Sequence, residues 1–340
     1  MAGELKKYAV TLAAALTGAA LAALVGIPAG ALIGSTLAVA AVAATRYGVG
    51  LPPRLRDVAF ATIGVSLGAG VDEGLIGQLE TWAASLVILL GSLVATILVG
   101  RVVLMRWFGL DGKTATLASA PGTMSNAVAI ASEGHGDAKA VMILQLVRLV
   151  FLAVAVPPLA VALNGSAGGS IADDAAMSVA VFIGLLAVST ALGLLGGRVG
   201  LPAASLLAGM IVSAGLHGVG LIDGPSPPWA IFAAFAVTGA VISTRMSNVT
   251  ARDAKRYAVA GLAMVGVSLV TSLAFALLAQ AVTRLELGQI LIAYAPGGVE
   301  AMAAIGLSLG YDPTYVAVHH FARIFALVVI VPVVLKMAER

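Results

Sequence analysis

The chain has no cysteine among its 340 residues, which removes disulfides, thiolate metal sites and cysteine nucleophiles together. Charge is scarce as well: 10% of the residues are Asp, Glu, Lys or Arg, where an ordinary globular domain carries about a quarter. Only four histidines are present, and only His319 and His320 are neighbours. A redox enzyme, a membrane monooxygenase included, would find no ligand set of workable spacing here. No enzymatic activity, metal or cofactor is expected. Basic runs with interleaved aromatics are missing too, so the net charge of +3 speaks of loop orientation and not of nucleic acid.

What remains is apolar. Hydrophobic residues make up 60% of the chain and the mean hydropathy is +1.06, which implies an all-α polytopic membrane protein. Apolar segments lie at 8–25, 28–46, 56–71, 79–107, 113–133 and 137–162, then at 175–198, 202–222, 228–244, 255–283, 287–310 and 312–337. The polar Gly/Ser/Asp stretch between the two sets marks a boundary. The expected organisation is a first repeat over 1–164, a linker over 165–174 and a second repeat over 175–340. Lys6 and Lys7 ahead of an alanine-rich run imitate a secretory signal. Because Val25-Gly-Ile-Pro-Ala29 recurs as Val199-Gly-Leu-Pro-Ala203, the first segment is read as a retained span.

Residues 117–148 and 292–323 superpose without a gap after a shift of 175 positions. Ala120, Pro121, Gly122, Asp137 and Arg148 then fall on Ala295, Pro296, Gly297, Asp312 and Arg323. Internal repetition on this scale is a mark of secondary transporters. Lysine and arginine settle the expected topology. If every segment crosses, Arg245, Arg252, Lys255 and Arg256 sit on the wrong face. If 113–133 and 287–310 instead enter, turn at Pro-Gly and leave on the same side, only Arg284 is outside, with Arg148 and Arg323 inside the membrane. The expectation is two inverted repeats, each of about five transmembrane helices plus a broken or re-entrant helical hairpin.

Proline cannot continue a helix and glycine frees the backbone to turn. Such a break is tolerated in a bilayer only where it faces protein or a water-filled cavity. The half-helix that follows points unpaired N–H groups at that cavity, which suits an anion. Candidate substrate-binding residues are therefore Pro121, Gly122, Thr123, Ser125 and Asn126 in the first copy and Pro296, Gly297 and Gly298 in the second. Arg148 and Arg323 lie eleven residues beyond Asp137 and Asp312, roughly 16 Å into a hydrocarbon layer of ~30 Å. A guanidinium there either grips an anion in bidentate fashion or ties down the loose carbonyls of the break, or pairs with Glu300. Gln145 shares the face of Arg148 one turn earlier, a place that His320 takes in the second copy. Glu300, His319 and His320 lack titratable counterparts in the first half and are candidates for ion coupling. Asp137 and Asp312 stand where helices start and are read as caps.

The two stretches resemble the AbrB membrane family, in which a duplicated domain ends in a Pro-Gly motif followed by a helix with a mid-membrane arginine. The likeness covers essentially the whole chain. Members are often labelled regulators of another gene's expression or ammonia monooxygenases. This chain departs from the usual Pro-Gly-Gly-hydrophobic-Glu pattern in its first half, where Thr123 and Ser125 replace the second Gly and the Glu. The functional expectation is an elevator-like secondary transporter of a small organic anion, coupled to H+ or Na+, with its site between the two Pro-Gly breaks. Segments 1, 2, 7 and 8 would form the scaffold. A membrane regulator or sensor without transport is the alternative. A homodimer in the bilayer of a bacterial cytoplasmic (inner) membrane is expected, with both termini cytoplasmic.

Overall fold

The computed structural model describes residues 2–45, 48–70, 75–121, 124–164, 176–249 and 251–338, and the linker expected at 165–174 lies outside them. The first half contributes α1 (Ala2–Leu24), α2 (Gly30–Ala43), α3 (Pro53–Gly68), α4 (Leu75–Phe108), α5 (Gly112–Ser119), α6 (Met124–Ile130) and α7 (Ala138–Asn164). The second contributes α8 (Val179–Arg198), α9 (Ala204–Gly218), α10 (Pro228–Thr244), α11 (Ala251–Thr283), α12 (Leu287–Tyr294), α13 (Val299–Ser308) and α14 (Pro313–Ala338). All regular structure among the described residues is helical. The duplication is visible element by element, since α5 and α12 start and stop 175 positions apart. The Val-Gly-Ile/Leu-Pro-Ala motifs build one local geometry twice: Ala29 and Ala203 are left-handed, at φ 53° and 48°, and open α2 and α9.

Among the described residues, six helices are long and apolar enough to cross a membrane: α1, α4, α7, α8, α11 and α14. The chain is thus a helical membrane-type protein. The segments expected at 28–46, 56–71, 202–222 and 228–244 form shorter helices, of 14, 16, 15 and 17 residues, or about 21–26 Å. Of these four, α3 and α10 are the most enclosed, with every residue from Ala59 to Gly68 buried. The segments 113–133 and 287–310 are both interrupted, and their pieces α5, α6, α12 and α13 run 7 to 10 residues.

The helices gather into two compact units. Unit 1 takes residues 1–79, 165–247 and 300–316, and unit 2 takes 80–164, 248–299 and 317–340. Both units therefore draw on both halves. Segments 1, 2, 7 and 8 fall in unit 1, whereas both Pro-Gly pairs fall in unit 2.

Within unit 1, α3 of the first half packs on α9 of the second, and α10 of the second packs on α2 of the first. Glycines permit the close approach. A Cβ on Gly64 would strike the carbonyl of Leu206, and one on the equivalent Gly239 would strike the Ser35 hydroxyl. Such small-residue contacts, not a hydrophobic drive, hold helices together in lipid. Within unit 2, Thr96 and Thr271, equivalent positions 175 residues apart, share a hydrogen bond of 2.8 Å. Equivalent positions thus meet in unit 2, and in unit 1 α3 and α10 each pack on equivalent helices of the other half. The core of unit 2 runs through Leu93, Ile97, Leu117, Leu144, Met264 and Val331.

Candidate functional site

A helix leaves its last four carbonyls without intrahelical partners, and a chain that stops a helix inside the bilayer must satisfy them from elsewhere. Both copies of the break in unit 2 do so in the same way. Ala120 and Ala295 turn extended ahead of the prolines, at ψ 118° and 127°, as the residue before proline must. In the second copy the Ala295 N–H donates to the Leu291 carbonyl at 2.8 Å. His320 Nε2 meets the Ile292 carbonyl at 3.0 Å, and the Ser272 hydroxyl donates to the Tyr294 carbonyl at 3.2 Å. Arg323 donates to the carbonyls of Ala295 at 2.9 Å and Gly297 at 2.7 Å.

The first copy repeats the plan with looser geometry. Gln145 Nε2 donates to the Leu117 carbonyl at 2.8 Å, at the position equivalent to the contact of His320 with Ile292. Arg148 donates to the carbonyls of Ser119 and Ala120 at 3.4 and 3.3 Å. These are long for charge-assisted bonds. The Arg148 Nε has no partner among the described residues. Both guanidiniums are buried, Arg148 3% exposed and Arg323 fully enclosed. Each stands at the negative end of a short helix, where a cation is favoured. The reading in which the arginines tie down loose carbonyls thus has its geometry in both halves.

Asp137 and Asp312 cap α7 and α14. Asp137 accepts from the N–H groups of Lys139 and Ala140 at 2.9 and 3.0 Å, and Asp312 from those of Thr314 and Tyr315 at 2.9 and 3.1 Å. His319 is fully buried, with Nε2 3.0 Å from the Ser85 hydroxyl. Tyr294 donates to the Ser85 carbonyl at 2.6 Å and its ring stacks on His319 with centroids 6.2 Å apart. Ser85, Tyr294 and His319 form a buried polar chain with no counterpart 175 positions away, where Ala260, Ser119 and Leu144 stand. Sequence reasoning named His319 but missed Ser85 and Tyr294. The signal available was the asymmetry itself.

Pro121, Pro296 and Gly297 are buried, Gly298 is half-buried and Asn126 is exposed. Gly122 and Thr123, and the Ser125 side chain, lie outside the described residues. Glu300 belongs to unit 1, where it is half-buried and makes no ion pair with a described residue. It lines a cavity of about 560 Å3 together with Arg54, Arg56, Arg198 and Arg245. Of the candidate binding and coupling residues named from sequence, Glu300 alone is part of that lining. The four arginines were legible only as charges placed on one face. Among the described residues no three His, Asp or Glu gather as a metal site.

Comparison with known proteins adds two findings. A family model described as "Transition state regulatory protein AbrB" matches residues 32–339. An Escherichia coli (strain K12) protein described as "Putative regulator AbrB" is 26% identical over 300 residues, which cover 84% of each chain.

Proposed function

The chain belongs to the AbrB family, and from that premise we propose that it is a secondary transporter of a small organic anion. The observation that carries the reading is the doubled break: two short buried helices in unit 2, each stopped at Pro-Gly and each held by a buried arginine. Broken helices near the midplane, arranged by internal repeats, are how secondary carriers build a polar site in lipid. Two repeats of odd crossing number, related by an axis in the membrane plane, would bring the breaks in from opposite faces. The site then lies between them, in unit 2, and transport proceeds by alternating access in the elevator manner, coupled to H+ or Na+.

The two arginines differ in how closely they hold the backbone. Arg323 donates two short bonds to the backbone and serves as the bracket of the second break. Arg148 has the longer contacts, and is the guanidinium assigned to the anion. His319 with Ser85 and Tyr294, and His320 and Glu300, are the groups assigned to coupling.

The test is uptake of a panel of radiolabelled mono- and dicarboxylates into proteoliposomes, driven by a proton or a sodium gradient. Saturable, gradient-dependent uptake supports the proposal. Flux absent for every anion under both gradients would remove it. The names of the family and of the relative favour a second reading, a membrane regulator. That reading requires specific anion binding without gradient-driven accumulation in the same vesicles.

A further inference from the structure

Three helix ends in unit 1 converge on the cavity of about 560 Å3. α3 begins there with Arg54 and Arg56, α8 ends there with Arg198, and α10 is followed there by Arg245. They are brought together because α3 packs against α8, α9 and α10. Arg56 is committed, since its Nε and Nη2 donate to Asp57 at 3.1 and 2.9 Å. Arg54, Arg198 and Arg245 pair with no carboxylate among the described residues. The remaining acid on the lining is Glu300.

Three guanidiniums facing one carboxylate leave the cavity with an excess of positive charge, which draws anions in and repels itself when empty. The start of α9, Ala203 to Ser205, is also on the lining. Its N-cap residue Ala203 offers no side-chain acceptor to the first amides of the helix, so those N–H groups are open to an anion. The volume lies in the range of pockets that enclose small molecules. A fork-shaped, permanently charged donor suits phosphate and carboxylate alike.

We propose that this cavity binds a multiply charged phosphate or carboxylate anion, and that Glu300 opposes the binding. The site stands in unit 1 and does not depend on transport. Its anion comes either from solution or from the headgroup of an anionic phospholipid.

The experiment uses the full-length chain purified in an uncharged maltoside detergent. Citrate and inorganic phosphate are titrated calorimetrically at an ionic strength held constant with chloride, and retention of phosphatidylglycerol against phosphatidylcholine is read by native mass spectrometry. An Arg198→Gln/Arg245→Gln double variant is expected to weaken binding at least about tenfold. Glu300→Gln is expected to tighten it on the order of fivefold, a gain that misfolding cannot produce. Arg106→Gln, outside the cavity, is expected to bind as the wild type does.

Loss of citrate or phosphate binding in the double variant assigns a soluble anion. Loss of phosphatidylglycerol retention alone assigns a headgroup. The proposal is overturned if the wild type binds none of these above the chloride and phosphatidylcholine controls. It is overturned equally if the double variant matches the wild type, or if Glu300→Gln weakens binding.

Discussion

Replacing each buried arginine by methionine separates the energetics of the two breaks. Arg323 makes two contacts of 2.9 and 2.7 Å with backbone carbonyls. A hydrogen bond from a charged donor is worth ~1.5–3 kcal/mol, so the pair contributes about 3–6 kcal/mol. Against this stands the cost of keeping a guanidinium at bilayer depth, ~2.5–3.5 kcal/mol, which methionine relieves. That relief is common to Arg323→Met and Arg148→Met and cancels when the two are compared. What survives is bond geometry. The Arg148 contacts of 3.4 and 3.3 Å lie at the outer limit of hydrogen bonding and hold roughly half the value. Arg323→Met is therefore expected to be the more destabilising by roughly 1.5–3 kcal/mol. The measurement is equilibrium unfolding of both variants in the same micelles by dodecyl sulfate titration. Equal losses, or a larger loss for Arg148→Met, would refute the assignment of Arg323 as the bracket. The converse holds for transport. Arg148→Lys keeps the charge but loses the fork, so apparent KM should rise about tenfold with little change in stability. A wild-type KM would end the role given to Arg148.

Because Gln145 and His320 occupy equivalent positions and meet equivalent carbonyls, Gln145→His and His320→Gln should both fold. Gln145→Leu strands the buried Leu117 carbonyl and should cost ~1–3 kcal/mol in the same titration. Gly64→Ala and Gly239→Ala drive a methyl into Leu206 and Ser35 respectively, which should lower thermal stability by ~1–3 kcal/mol each. At the start of α5, burial pushes the Asp111 carboxyl up, but hydrogen bonds from Thr114 and Lys113 outweigh it and hold the group below the ordinary 3.8. A depressed folded value gives stabilisation that is present above 3.8 and lost as pH falls through that lower value. Asp111→Asn, whose amide oxygen can still cap, should flatten stability against pH between about pH 5 and pH 2.

Much of the fold was legible because its signals are local. Pro-Gly inside an apolar run stops a helix wherever the chain goes, and α5 and α12 end one residue before Pro-preceding Ala120 and Ala295. Asp137 and Asp312 cap because their acceptors reach N–H groups two and three residues on. Of the four shorter helices, α10 fell at its expected bounds and α3 kept its expected length but begins three residues earlier, at Pro53. The other two, α2 and α9, were read too long, since short flanks such as Thr45 do not register against an apolar background. The partners of the arginines stayed open in sequence, where anion, carbonyl and Glu300 were all within reach of the pattern. Glu300 went to another unit, and the carbonyls 26 to 29 residues upstream took the guanidiniums.

The order of residues by itself determined a membrane-type helical chain, its duplication, the two interruptions and the place of Arg148 and Arg323 on the helices that follow Asp137 and Asp312, because each follows from composition or from spacing along one helix. Tertiary structure alone decided that α3 and α10 exchange partners between the halves, that Ser85 joins Tyr294 and His319 across more than 200 residues, and that Arg54, Arg198 and Arg245 share one cavity. Contacts of that kind depend on which helix faces meet. In a chain this apolar nearly every face is greasy, so the choice rests on where glycines let backbones touch, which no periodicity records.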